Sequence, residues 1–382
     1  MNAALAYCDY NATAPLHPAA RAAMIAALDQ GGNASSPHAI GRRARGLVES
    51  AREALARAIR ADAAEVIFVG GGTEANALAL SAAAAAQASV VFVSAIEHDS
   101  VRAEAQRRFG DRVQVIPVTG AGLVDVDWLT ARLADLPAGA KPFVSVMLAN
   151  NETGVVQDIA AIAATTKAAG GLVHTDAAQG FGRMAIDVKA LGVDLLSLCA
   201  HKAGGPVGIG ALWARPGIGL EPIFHGGGQE RSRRAGTENI AAIAGMGALA
   251  GLAHDLIAQH RALQTYRDAL EASLSRRLPD WAGFGNAAPR LPQTACFGIA
   301  GLRAETLLMA LDLEGVCVSS GSACSSGKVR ASHVLAAMGA APALAQSALR
   351  VSFGWASAEA DFHRLEEALI GACARLQTRT LP

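Results

Sequence analysis

Two segments of this chain end an apolar run on side chains that can hold or move a proton. "GLVHTDAAQG" runs through His174 to Asp176 and Gln179, and "DLLSLCAHKAGGPVGIGALW" passes through His201 and Lys202 into a glycine-rich turn. An amine partly withdrawn from water has a lowered pKa and can form a Schiff base with a carbonyl. A carboxylate beneath a pyridine nitrogen keeps that nitrogen protonated and makes the ring an electron sink. Asp176 and Lys202 are therefore the equipment of pyridoxal phosphate chemistry, provided both reach one ligand. Of the five lysines (Lys141, Lys167, Lys189, Lys202 and Lys328), only Lys202 ends a buried-strand pattern. The plainer alternative is a strand-end ion pair.

Two further stretches bear on that choice. "VIFVGGGTEANALAL" reads as a strand, then Gly70, Gly71 and Gly72, then a helix opening at Thr73. Glycines let the backbone approach a ligand, and free N–H groups at a helix start attract phosphate. The same stretch contains GxGxxA at Gly70, Gly72 and Ala75, with Glu97 after the next strand, which leaves a nicotinamide-dependent oxidoreductase open as a rival. "SSGSACSSGKVRASH" sets Cys324 in a run of small residues that offers little to bury. Lys328 and Arg330 nearby favour its thiolate form.

Delivering these groups to one place requires a sheet. Strand patterns run over Val66 to Val69, Val90 to Val93, Val113 to Val118, Phe143 to Leu148, Leu172 to His174, Leu195 to Leu198 and Gly210 to Trp213, alternating with alanine-rich helical stretches. Most are continuous apolar runs, as strands buried on both faces are, so the expected core is a mainly parallel seven-stranded α/β sheet flanked by helices. Neighbouring parallel strands would bring Asp176 and Lys202 to one edge, where such folds bind ligands. After Thr237 the helical pattern is too long for one globular helix and should bend or break. Beyond it, strands Ala295 to Ile299 and Val316 to Ser319 and helices Ala304 to Leu311, Ser332 to Met338 and Ala358 to Arg375 describe a smaller α+β domain carrying Cys324. The expected division is a large domain over 13–256 and a small one from 1–12 and 257–382.

Composition narrows the function classes. The 382 residues exceed what one core usually serves, and 52% are hydrophobic against 17% charged. Lysine plus arginine equals aspartate plus glutamate at 33 each, so no net field draws the chain to nucleic acid or to an anionic membrane. A small-molecule substrate fits better. The six cysteines show no CxxC spacing, no signal-peptide pattern opens the chain, and no histidine cluster has metal-ligand spacing; the expectation is a cytoplasmic protein without a metal. The alanine run Ala82 to Ala86 is no membrane span, because Asn76, Ser81, Gln87 and Ser89 break the stretch Ala75 to Ser94 around it.

Taken in order, "YCDYNATAPLHP", "GNASSPHAIGRRAR", "GGGTEAN", "AIEHDSV", "ANNETGVVQDI", "HTDAAQGFGRMAIDV", "AHKAGGPVGIGALW", "GGGQERSRRAGTEN", "SSGSACSSG" and "LRVSFG" resemble the cysteine desulfurases of the NifS/IscS type. These belong to the class V aminotransferase group of fold-type I pyridoxal phosphate enzymes. The resemblance implies that Lys202 carries pyridoxal 5'-phosphate, that Asp176 pairs with its ring nitrogen and Gln179 with its ring oxygen, and that His98 stacks over the ring and moves protons. Thr73 and His201 would bind the phosphate, joined by Thr237 from the partner subunit of a homodimer. Asn151 and Arg350 would hold the substrate carboxylate, and Cys324 would take sulfur from L-cysteine as a persulfide, releasing L-alanine. A sulfur-acceptor protein such as an iron–sulfur scaffold would follow, with "SLCAHK" and "ERSRRAGTENIA" closest to the NifS branch. A selenocysteine lyase, another aminotransferase of the group, or a scaffold subunit without chemistry remain alternatives. Two positions depart from the family pattern: Ala34 replaces a usual proline, and Cys199 stands where many members have a phosphate-binding serine.

Overall fold

The computed structural model of the chain describes residues 5–320 and 332–378. In chain order its strands are β1 (Ala6–Tyr7), β2 (Val66–Val69), β3 (Val90–Ser94), β4 (Val113–Ile116), β5 (Pro142–Ser145), β6 (Leu172–Asp176), β7 (Leu195–Cys199), β8 (Gly210–Ala214), β9 (Trp281–Gly283), β10 (Thr294–Ile299), β11 (Val316–Cys317), β12 (Ser319–Ser320) and β13 (Leu349–Ser352). Strands β2 to β8 form one seven-stranded sheet in the order β2-β8-β7-β6-β5-β3-β4. It is mainly parallel, as expected; only β8 runs antiparallel to its neighbours.

Successive residues of these strands serve two cores. Phe68, Phe92, Val144, Leu196 and Trp213 pack on one side of the sheet, and Ile67, Val91, Phe143, Leu195 and Leu212 on the other. Both faces are apolar because helices cover both, which is why the runs show no polar alternation. The edge strand β4 exposes Gln114 and Val115. Helix Gly72–Ala85 buries Ala75, Leu78, Ala79 and Ala82, side chains small enough to let it lie close against the sheet. Strands β2, β3, β5, β6 and β7 share one direction, so the segments after them all leave from one edge.

The helical pattern after Thr237 breaks at Leu252, where Ile240–Gly251 and Ala253–Arg277 meet at 65°. The first piece packs tightly on helix Ala39–Ala58: a Cβ at Gly247 would lie 2.6 Å from Ala51 Cα. The second serves another core, where Leu270 and Leu274 meet Phe297, Leu307, Val351 and Leu365. Ala6 and Cys8 join that core, so the chain's first strand sits with its last third. The antiparallel sheet there has the order β12-β13-β10-β9. The run Val316 to Ser319 is two strands rather than the one expected, because the chain changes partner at Val318: β11 pairs with β1 and β12 with β13. Among the described residues no single helix is long and apolar enough to cross a membrane.

Candidate active site

At the shared strand edge lies a cavity of about 440 Å³. Asp176 reaches it from the end of β6, Gln179 from the segment that follows, and His201 and Lys202 from the segment after β7. Thr73 reaches it from the start of helix Gly72–Ala85, and His98 from the start of helix Asp99–Phe109. Asn151 comes from the segment after β5 and Arg350 from β13 of the smaller sheet. These eight expected residues therefore meet. Thr237 does not: it lines a separate cavity of about 200 Å³ with Gly70, Gly208 and Arg234. Cys324 lies outside the described residues, although Ser319, five positions before it, lines the main cavity.

Burial sets the protonation of the basic groups. The amine of Lys202 has its pKa lowered, by loss of water first and then by the guanidinium groups of Arg350 and Arg183. It donates to the carbonyls of Asn11 (2.8 Å) and Ala12 (3.2 Å). Burial also lowers His201 to about 4, so its imidazole is neutral near pH 7. Asp176 is an acceptor on both oxygens, from the Ala178 N–H at 2.9 Å and Asn76 Nδ2 at 2.7 Å. The Cys199 thiol faces the cavity and is pushed up to about 11 by burial, which makes it a neutral wall rather than a nucleophile.

The glycines before Thr73 act by close approach. Gly71 has φ +153, and a Cβ on Gly210 of β8 would lie 2.7 Å from the Gly71 carbonyl carbon. The backbone of the cradle thus rests directly on the neighbouring strand. Glu97, which a dinucleotide enzyme would place on a ribose hydroxyl, is fully buried, accepts a short hydrogen bond from the Met147 N–H and does not line the cavity.

Sequence reasoning missed the strap beneath the site. Asn11, fully buried, accepts through its carbonyl from both Lys202 and Gln179 Nε2 (3.0 Å) and through Oδ1 from Arg183 (3.0 Å), and its Nδ2 donates to the Asn151 carbonyl (3.2 Å). Asp9 holds Arg350 Nη2 at 2.6 Å, and Thr13 Oγ1 meets His201 Nδ1 at 3.0 Å. Arg183 is fully buried, bonds to the carbonyls of Tyr10 and Lys202, makes a short bond to Gln179 Oε1, and is lowered to about 10 by burial. The signal was present in "YCDYNATAPLHP" and "GFGRMAIDV", but nothing in the order of residues says what they touch.

These groups fit pyridoxal phosphate. A helix start with Thr73 and a neutral imidazole on His201 suit a phosphate, and an acceptor carboxylate on Asp176 suits a protonated ring nitrogen. A partly desolvated amine on Lys202 suits an aldehyde. Among the described residues Arg350 Nε is a buried donor with no partner, as a site for a carboxylate requires.

The aminotransferase class-V family model matches residues 6–365. A cysteine desulfurase of Cereibacter sphaeroides is 41% identical over 370 residues, covering 95% of this chain and 94% of that one. Among solved structures, a NifS-like protein from Rickettsia africae superposes with a TM-score of 0.89 at 35% identity, covering 97% of this chain and 99% of the other. A second, described as SspA in complex with cysteine, gives 0.78 at 27% identity over 91% of this chain and 98% of its own.

Proposed function

The chain belongs to the class-V aminotransferase family and is a pyridoxal phosphate-dependent cysteine desulfurase, and on that premise we propose a division of labour among its residues. Lys202 carries the cofactor, Asp176 faces its ring nitrogen, Gln179 its ring oxygen, and Thr73 and His201 its phosphate. Asn151 and Arg350 hold the substrate carboxylate, Arg350 through the fork geometry that a carboxylate matches in two bonds. When bound, pyridoxal phosphate supplies an electron sink that acidifies the substrate α-carbon. Lys202 then moves that proton, a task that suits an amine whose pKa burial has lowered. His98, which lines the same cavity, serves the proton transfers.

Cys324 is the sulfur acceptor in this reading. Its thiolate forms an S–S bond to the substrate sulfur while the C–S bond breaks and leaves its electron pair on carbon. Protons complete the methyl group of L-alanine, and Cys324 keeps the sulfur as a persulfide. A cysteine in a run of serine, glycine and alanine suits this transfer, because the sulfur must afterwards be handed to another protein. An iron–sulfur scaffold in the cytoplasm is the acceptor we favour, on the NifS-like segments around Cys199 and Arg231.

The enzyme works as a homodimer in which Thr237 completes the partner's phosphate site. Exposed apolar side chains at Ile25, Leu28, Ile40, Val207 and Phe224 support a covered surface. The sheet's core reaches to Leu256 and the second core takes up the same helix from Leu263, together with Ala6 and Cys8, which supports a large domain over 13–256 and a small one from 1–12 and 257–382.

The observation that carries this reading is the meeting of Lys202, Asp176 and Thr73 at one cavity from three separate elements. L-cysteine should yield alanine with the wild-type enzyme and a persulfide on the tryptic peptide containing Cys324. Undiminished alanine production by Cys324→Ala would end the persulfide role.

A further inference from the structure

A line of hydrogen bonds joins Asp176 to His98. Asn76, on the first turns of helix Gly72–Ala85, gives one Nδ2 hydrogen to Asp176 Oδ2 at 2.7 Å and the other to Ser100 Oγ at 2.9 Å. Ser100 Oγ in turn lies 2.8 Å from His98 Nδ1, and the Ser100 backbone N–H donates to the same nitrogen at 3.1 Å as the cap of helix Asp99–Phe109.

The direction of each bond follows from chemistry. Asp176 already accepts from Ala178, and an ionised carboxylate only accepts, so the Asn76 amide must turn its nitrogen toward it. That nitrogen has only hydrogens to offer Ser100, which takes one of the two lone pairs of the serine hydroxyl and keeps its hydrogen available to His98 Nδ1. A backbone N–H can only donate. Two donors therefore converge on Nδ1, and a hydrogen on Nδ1 would face both of them. Among the described residues no hydrogen bond reaches His98 Nε2.

We propose that Asn76 and Ser100 are positioning residues that hold neutral His98 as the Nε2–H tautomer, so that it meets the substrate as an N–H donor rather than as a base. The proposal rests on His98 acting in the reaction, and it narrows that role. Removal of the α-proton then falls to Lys202, and His98 offers a hydrogen bond to the substrate side that carries sulfur.

The test reads nitrogen, not turnover. Holoenzyme labelled with 15N at the histidine rings is examined by two-bond proton–nitrogen correlation at pH 8.5, with His98 assigned by its loss in His98→Gln. The expected spectrum has a pyridine-like Nδ1 and a pyrrole-like Nε2. Ser100→Ala, which removes one of the two donors at Nδ1, should lower the ratio of Nε2–H to Nδ1–H roughly tenfold, about the worth of one such bond, and Asn76→Ala should lower it less, since its amide reaches His98 only through Ser100. Ser100→Thr, which keeps the hydroxyl, should restore it. A wild-type His98 protonated on Nδ1 overturns the proposal, as does a ratio unmoved in both alanine variants. Because the spectrum needs no turnover, the wrong tautomer overturns it even if His98 is essential. Undiminished desulfuration by His98→Gln would instead remove the role on which the proposal rests.

Discussion

Glu230 offers the sharpest test of how the segment before Thr237 is held. Three consecutive non-glycine residues there, Glu230, Arg231 and Ser232, have φ of 46, 58 and 64. Left-handed backbone costs about 1–2 kcal/mol per residue, or roughly 3–6 kcal/mol for the run. The opposing term is a buried fork: Glu230 accepts from Arg52 Nη1 at 2.6 Å and Nη2 at 2.7 Å, and from the Phe68 N–H at 2.9 Å. Both side chains are nearly free of solvent, at 2% and 6% exposure, so little screening weakens the pair. Removing one partner of such a pair costs about 3–5 kcal/mol. Strain and restraint are thus of equal size, and Glu230→Ala should release the segment locally while the sheet stays folded. The assay is tryptic cleavage after Arg231, Arg233 or Arg234, whose rate follows the local opening equilibrium. Roughly two to nearly four orders of magnitude faster cleavage is expected, what about 3–5 kcal/mol implies, with cleavage after Arg57 unchanged. A rate within threefold of wild type, in folded protein, would refute the balance of strain against the fork (that factor being roughly 0.6 kcal/mol).

Other consequences are equally checkable. Gly210→Ala pushes a methyl into the Gly71 backbone and should weaken pyridoxal phosphate binding by roughly tenfold or more, read by cofactor titration, without altering the circular dichroism of the apoprotein. His174 is buried between Ser145 Oγ and Ser197 Oγ, and burial lowers its pKa to about 4. The unfolded chain therefore takes up this proton near pH 6.5 while the folded one resists to about 4, so stability is full above 6.5 and falls as pH drops through that window. By pH 5 the loss is about 2 kcal/mol, and the urea midpoint of His174→Gln should fall less between pH 7.5 and 5 than that of wild type. Arg350→Lys keeps the charge but loses the fork; KM for L-cysteine should rise about tenfold or more with a smaller change in kcat.

Legibility followed locality. β2 occupies Val66–Val69 as read from its apolar run, and the other six strands of the sheet begin within one residue of expectation, because burial on both faces leaves a local imprint. Lys202 and Asp176 were legible for the same reason: each ends such a run. The Val316 to Ser319 run was not divisible from its residues alone, since the switch at Val318 depends on β1, some three hundred residues earlier. Asp9, Asn11 and Arg183 were quoted within motifs yet given no role, because the contacts of Asp9 to Arg350, of Asn11 to Lys202 and of Arg183 to Tyr10 join distant segments. The Asn76–Ser100–His98 line was hidden likewise, across two helices.

The most direct measurement is where the cofactor attaches. Holoenzyme reduced with borohydride and digested should carry a pyridoxyl mass on the peptide containing Lys202, and Lys202→Ala should carry none. A pyridoxyl group on Lys141, Lys167, Lys189 or Lys328 instead, or on no lysine of an active preparation, would contradict the site.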